Sequence, residues 1–234
     1  MEMPLHILIT AGPTVEDLDP VRFISNRATG LLGTLASRAA LQCKHRVILI
    51  HGPLSSEAQR EATLAARKKG FTAIPVRSAV QMHGAVRKNL ARTDVVIMTA
   101  AVADFTPVRI SMTKLKKAKT GLSLRLKPTV DILAELGKLK KSKFKKLKLI
   151  GFALETGSGQ TAKEREQSRF SEAQRKLLRK NLDAIVLDTP AAMGANEAAF
   201  TIIFPNNGIL QFNGSKRAFA KRLIKLAEWI AFRP

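Results

Sequence analysis

Between a predicted first strand and a predicted first helix runs the stretch Asp19-Pro20-Val21-Arg22-Phe23-Ile24-Ser25-Asn26-Arg27-Ala28-Thr29-Gly30. It gathers the arginines Arg22 and Arg27, the carboxamide of Asn26, the hydroxyls of Ser25 and Thr29, and a flexible glycine. These groups precede a helix start, where backbone N–H groups have no partner within the helix and are free to bind anions. The chemistry expected of the loop is recognition of a phosphorylated substrate.

Other stretches could take part. Ala11-Gly12-Pro13-Thr14 follows the same strand, although a Gly-Pro turn there is equally common in purely structural loops. The separation of Gly12 from Gly30 is too long for the dinucleotide fingerprint, and no Gly-x-x-x-x-Gly-Lys loop occurs, which disfavours ordinary dehydrogenases and P-loop enzymes. Ala100-Ala101-Val102-Ala103-Asp104-Phe105 follows the most hydrophobic strand. Its small residues would admit a flat ring or a phosphate, and Asp104 could accept hydrogen bonds from a base or ribose, or simply cap the strand exit. Lys114-Leu115-Lys116-Lys117 could close over a triphosphate, yet charge runs are usually solvated faces. Lys176 and Lys180 share one helix face and carry the same ambiguity. The histidines His6, His45, His51 and His83 lack metal-ligand spacing, and no serine or cysteine sits in a hydrolase elbow.

These residues need a frame that brings them together, and the hydrophobic pattern supplies one. Leu5–Thr10, Arg46–Gly52 and Asp94–Ala100 read as buried parallel strands, and Phe71–Val76 as a further β-branched stretch. Leu31–Gln42, Ser56 to about Lys69, and Ser78–Arg92 read as helices, the second capped by Ser56 and stopped by Gly70. The second half is expected to add a strand at Leu122–Leu126, a helix at Val130–Leu136, a strand at Leu147–Ala153, a helix at about Ala162–Asn181 and a strand at Asp183–Asp188. A hairpin over Ala199–Phe212 turns at Pro205-Asn206-Asn207-Gly208, and an amphipathic helix spans about Lys216–Phe232. The expected fold is α/β, a doubly wound, mostly parallel, Rossmann-like sheet over residues 1–234 with a small flap or β-hairpin subdomain at about 105–128. Ligands of such a sheet bind beyond the strand C-terminal ends.

Composition narrows the partners. Forty Lys and Arg against 18 Asp and Glu leave a formal charge of +22, which favours anionic ligands through long-range attraction. The lone Cys43 excludes an internal disulfide and a cysteine-based zinc cluster, which fits a reducing cytoplasm. Neither a secretory leader nor a membrane span is expected. A basic nucleic-acid-binding protein on an α/β fold is the alternative reading. Against it, aromatic residues are only 5% of the chain, with one Trp and no Tyr, so stacking platforms are scarce.

Taken together, the ordered stretches Ile7–Thr14, Asp19–Arg27, Ala100–Phe105, Lys114–Lys117, Val130–Leu133, Gly151–Thr156 and Lys180–Asp183 resemble the phosphopantothenoylcysteine synthetase family over nearly the whole chain. In many bacteria this synthetase is fused behind a flavin-dependent decarboxylase; a stand-alone synthetase, with a separate decarboxylase as a possible partner, is the expectation here. The resemblance implies ligation of 4′-phosphopantothenate to cysteine in coenzyme A synthesis, with CTP rather than ATP and magnesium, through an acyl-cytidylate. By the same resemblance Lys114 is the flap lysine for forming the acyl-cytidylate, and Asn26 holds that intermediate for attack by cysteine. Met98, Thr99, Ala100, Asp104, Lys114, Val130, Asp131, Ile132, Leu133, Phe152, Lys176 and Lys180 match nucleotide-contacting positions. Arg22, Asn26, Ala28, Thr29 and Gly30 would face the phosphopantothenate near the interface of a homodimer. The chain departs from the family pattern at Ala28-Thr29, where a pair of serines is usual, at Leu31-Leu32, where lysine and methionine are usual, and at Asp188-Thr189, where an asparagine-aspartate pair is common.

Overall fold

The computed structural model describes residues 3–117, 121–188 and 197–233. Thr189, one of the departures noted above, lies outside the described residues, as does part of the expected flap. The first half alternates strands β1 (His6–Ala11), β4 (Arg46–His51), β5 (Phe71–Pro75) and β6 (Val95–Met98) with helices α1 (Leu31–Gln42), α2 (Ser56–Ala66) and α3 (Ala79–Asn89). The short strands β2 (Val15–Asp17) and β3 (Phe23–Ser25) pair with each other between β1 and α1. After β6 come β7 (Phe105–Pro107), β8 (Leu126–Pro128), α4 (Ile132–Ser142), β9 (Lys148–Leu154), α5 (Ala162–Arg179), β10 (Ala184–Asp188), β11 (Glu197–Ile203), β12 (Ile209–Ser215) and α6 (Lys216–Phe232).

The main sheet has eight strands in the order β12-β11-β10-β9-β6-β1-β4-β5. The six strands from β10 to β5 run parallel, and β11 and β12 add an antiparallel hairpin at one edge. From β1 the chain moves outward through β4 and β5, then returns to the other side of β1 with β6. That reversal opens a crevice between the C-terminal ends of β1 and β6, the place where an open α/β sheet binds its ligands. The expected doubly wound class is the one observed.

Alternation along β1 shows how the core divides. Ile7 and Ile9 pack with residues of α1, α2 and α6 on one face, while Leu8 packs with α3, α4 and α5 on the other. Near-continuous apolar strands are what a sheet covered on both faces requires. Buried Glu61 of α2 binds both Arg38 of α1, at 2.5 Å, and Arg217 of α6, at 2.8 Å, tying the three helices of the first face together.

Several expected boundaries shift for local reasons. The N-cap of α2 is Ser55, whose side chain accepts the Ala58 N–H, so Ser56 is the first helical residue. Ser78 caps α3 through a capping box with Gln81, and a single 3-10 turn over Leu90–Arg92 follows. The strand expected at Leu122–Leu126 is placed instead at Leu126–Pro128, where pairing with β7 is available. Helix α4 starts two residues later than expected because Asp131 caps it, and it runs on to Ser142, taking in Lys138, Lys140 and Lys141.

Candidate active site

The crevice between β1 and β6 is built from residues that sequence reading had taken separately. Beyond the strands the two exits are joined by hydrogen bonds in both directions. Thr99 Oγ1 donates to the Thr10 carbonyl at 2.6 Å, and the Ala100 N–H donates to Thr10 Oγ1 at 3.2 Å. The Ala101 N–H reaches the Gly12 carbonyl at 3.0 Å, the Thr14 N–H reaches the Ala101 carbonyl at 3.2 Å, and Thr14 Oγ1 accepts the Ala103 N–H at 2.9 Å. Thr10 and Thr14 are fully buried, and their hydroxyls take the N–H groups of Ala100 and Ala103 where the β1–β6 pairing has ended.

Glycines let the first helix come close to this junction. Gly12 and Gly30 have φ of +74° and +78°, and a Cβ on Gly30 would lie 3.2 Å from the Gly12 Cα. A Cβ on Gly33, in the first turn of α1, would meet Ala11 Cβ at 2.6 Å and Thr99 Oγ1 at 2.7 Å. Gly12 and Gly30 are too far apart in sequence for the dinucleotide fingerprint, but in space they are neighbours. Together Gly12, Gly30 and Gly33 take the places of a tight turn after a strand, a close backbone approach and a close helix–strand contact, with residues 13–29 inserted between the first two. Leu31 N–H bonds Thr29 Oγ1 at 3.4 Å, and among the described residues no side chain caps the N–H groups of Leu32 and Gly33. This helix start can hold a phosphate. The sequence alone sets Gly12 aside and does not mark Gly33, because the signal is a fixed spacing, which the insertion destroys.

The inserted loop grips two other parts of the site. Asn26 donates from Nδ2 to the carbonyls of Ala101 at 3.1 Å and Val102 at 3.3 Å, and Ser25 Oγ donates to the Thr14 carbonyl at 2.8 Å. Asn26 is otherwise exposed, with Oδ1 free of any partner among the described residues. At the other end of the loop, Asp19 Oδ1 accepts the N–H groups of Val21 and Arg22, both at 2.8 Å. Its Oδ2 accepts Arg22 Nε and the Leu115 N–H, both at 3.0 Å. Arg22 Nη2 donates in turn to the Leu115 carbonyl, and the Ser111 N–H reaches the Leu18 carbonyl at 2.9 Å. The flap segment that carries Lys114 is therefore tied to the loop by buried Asp19, a residue that sequence reading did not single out.

Burial of the Asp19 carboxyl resists ionisation. The N–H bonds from Leu115, Val21 and Arg22, with the nearby Arg22 charge, outweigh it and bring its pKa down from 3.8 to about 2. Arg22 is thus engaged with Asp19 and Leu115 and, among the described residues, only its Nη1 has no partner. Ala28 and Thr29 are half-buried beside Gly30, and Lys114 is exposed with no side-chain partner among the described residues.

The other sequence-predicted residues line the same end of the sheet. Met98, Ile132 and Leu133 are core residues that could offer a ligand only their backbone, and Phe152 is half-buried. Val130 and Asp104 are exposed, and the Asp104 side chain has no partner among the described residues. The helix lysines are occupied. Lys176 Nζ lies 2.5 Å from Glu155 Oε1, and Lys180 Nζ lies 2.9 Å from Asp131 Oδ1, which also caps α4 through the Ala134 N–H at 3.0 Å. Burial opposes ionisation of Asp131, but the bonds from Lys180 and Ala134 and the charges of Lys180 and Arg179 prevail and lower its pKa. Among the described residues no group of three or more His, Cys, Asp or Glu converges to hold a metal. Three of the four histidines have structural side-chain partners among the described residues: His45 against Glu228 at 2.8 Å, His51 against the Gly52 carbonyl at 2.8 Å and His83 against Glu135 at 2.8 Å.

Residues 3–230 match the family model described as the DNA/pantothenate metabolism flavoprotein C-terminal domain. The chain is 45% identical over 199 residues to the coenzyme A biosynthesis bifunctional protein CoaBC of Bacillus subtilis (strain 168), covering 85% of this chain and 43% of that protein. It is 40% identical over 218 residues to a cysteine/cysteine sulfinic acid decarboxylase of an unknown prokaryotic organism, covering 90% of this chain and 55% of that protein. It spans about half the length of these curated relatives. The crystal structure of the C-terminal domain of a coenzyme A biosynthesis bifunctional protein CoaBC superposes with a TM-score of 0.75 at 31% identity, covering 97% of this chain and 95% of that one.

Proposed function

Since the chain belongs to the DNA/pantothenate metabolism flavoprotein C-terminal domain family, we propose that it is a phosphopantothenoylcysteine synthetase, joining 4′-phosphopantothenate to cysteine with CTP. The observation that carries this reading is the loop from Asp19 to Asn26, which holds the Lys114 flap at one end and the exit of β6 at the other. A carboxylate that must approach an anionic α-phosphate needs its charge neutralised from several sides, and this loop connects the groups able to do so.

In the proposed reaction the substrate carboxylate attacks the α-phosphorus of CTP and pyrophosphate leaves, giving an acyl-cytidylate. The cysteine amine then attacks the acyl carbon, an amide forms and CMP leaves. Lys114 stabilises charge in the first step, and Asn26, already fixed by two backbone carbonyls, offers its carboxamide to the acyl-cytidylate in the second. The N–H groups of Leu32 and Gly33 face phosphate oxygens, and Lys176 and Lys180 exchange their carboxylate partners for phosphate. Arg22 offers Nη1 to the phosphopantothenate. Magnesium is compatible with a site in which no carboxylate cage forms among the described residues, because this ion commonly keeps its waters and is held by substrate phosphates; it would supply further charge neutralisation on the triphosphate.

Incubating the protein with phosphopantothenate, cysteine, magnesium and either CTP or ATP, while following pyrophosphate, tests the proposal. Release that depends on phosphopantothenate is expected with CTP, and its absence with both nucleotides would refute the reading. Asn26→Ala should accumulate the acyl-cytidylate, whereas Lys114→Ala should fail to form it. Equal turnover by the two variants would overturn these roles.

A further inference from the structure

At the end of the sheet opposite the β1–β6 crevice lies a groove of about 740 Å³. One wall is the turn end of the β11–β12 hairpin and the other is a single face of α6, on which Arg222, Leu226 and Trp229 follow one another at helical spacing, with Arg233 just beyond the helix end. Lys148, at the start of β9, and Asp183, just before β10, close its floor. A cavity of this size and concavity is in the range of small-molecule sites.

Its lining is amphiphilic with one sign of charge. Ile202, Phe204, Leu226 and Ile230 give a buried apolar wall, while Trp229, 44% exposed, stands at the opening. Phe204 meets the Trp229 ring edge-on at 5.4 Å, and the Arg233 guanidinium lies over it at 3.7 Å. Lys148, Arg222, Lys225 and Arg233 are the cations of the lining. The side chains of Arg222, Lys225 and Lys148 have no hydrogen-bonded or ion-paired partner among the described residues. The one acid, Asp183, is already committed to Lys140 Nζ at 2.6 Å and the Leu149 N–H at 2.7 Å. Uncompensated cations around an apolar wall are complementary to a ligand that is apolar at one end and anionic at the other.

We propose that this groove binds a small amphiphilic anion, an alkyl or aromatic body carrying a carboxylate. The body lies against Phe204, Leu226 and Trp229, and the carboxylate meets Arg222 and Lys225. The site is separate from the crevice and does not depend on the reaction proposed there.

Trp229 is the only tryptophan and the chain has no tyrosine, so its emission reports the groove directly. Titration with decanoate, below its critical micelle concentration, should shift that emission to shorter wavelength and saturate. Decyltrimethylammonium, with the same tail and the opposite charge, should bind far more weakly. Replacing Arg222→Glu together with Lys225→Glu should weaken decanoate binding about tenfold or more, and the milder Arg222→Gln with Lys225→Gln should weaken it less, with thermal melting unchanged in both. Equal responses to the two amphiphiles, or unchanged decanoate affinity in the folded variants, would overturn the proposal. So would an emission that depends on protein concentration alone, with sedimentation of a dimer, because the groove would then be an interface between copies.

Discussion

At the scale of single residues, Asp19 shows how a side chain can matter without touching a substrate. Its carboxylate collects donors from its own turn and from Leu115 of the flap, 96 residues away in the chain. Because its pKa falls from 3.8 to about 2 on folding, the carboxylate form is favoured in the folded state. The stabilisation it contributes is therefore complete above about pH 4 and is lost as the pH falls through about 2. Amide hydrogen exchange should find Leu115 protected at pH 4 and above and losing protection toward pH 2. Asp19→Ala should leave Leu115 unprotected throughout and, on the proposed mechanism, slow formation of the acyl-cytidylate as Lys114→Ala does. Protection that persists in Asp19→Ala would show that the flap is held by other contacts.

At the scale of elements, the approach of α1 to the exits of β1 and β6 is set by Gly33. Alanine is the better helix former by about 1 kcal/mol, which by itself predicts that Gly33→Ala stabilises α1. The added Cβ would, however, stand 2.6 Å from Ala11 Cβ and 2.7 Å from Thr99 Oγ1, in a junction of buried backbone that yields little. Overpacking of this kind costs about 1–3 kcal/mol and wins the comparison. Gly33→Ala is expected to lower stability in urea unfolding and to weaken nucleotide binding in calorimetry; a gain in stability would refute the close packing. Element geometry also explains the helix lysines. Helical side chains lean toward the N-terminus of their helix, and α5 runs antiparallel to the strands. Lys176 in its last turn and Lys180 at its C-cap therefore point back toward the ligand end, where Glu155 and Asp131 meet them.

At the scale of the whole molecule, the two-stranded β2–β3 and β7–β8 ribbons stand apart from the main sheet, and exposed apolar side chains lie on them and in the segments beside them. Val21, Phe23, Phe105, Ile110 and Met112 are each more than half exposed, with Met112 at 88%. Exposed apolar groups gathered on neighbouring ribbons are the surface on which the homodimer implied by the family resemblance would be joined. Sedimentation should then find a dimer that Phe23→Asp with Met112→Asp converts to monomer; a monomeric parent protein would exclude it. Much of this architecture was legible in the chain itself. Apolar runs such as Val95–Met98, the helical periodicity of Leu31–Gln42 and the Asn207-Gly208 turn are local signals, written in neighbouring residues by sterics and burial. The order of the stretches that carry the family resemblance was legible too, as was the winding of a mostly parallel sheet. What only the tertiary structure decided is which distant groups meet: Asn26 with Ala101, Asp19 with Leu115, Gly12 with Gly30, Lys180 with Asp131. Those contacts carry no local periodicity, since each follows from strand order and loop closure over tens of residues, and a side chain such as Asp19 acquires its role only when the fold brings its partner to it.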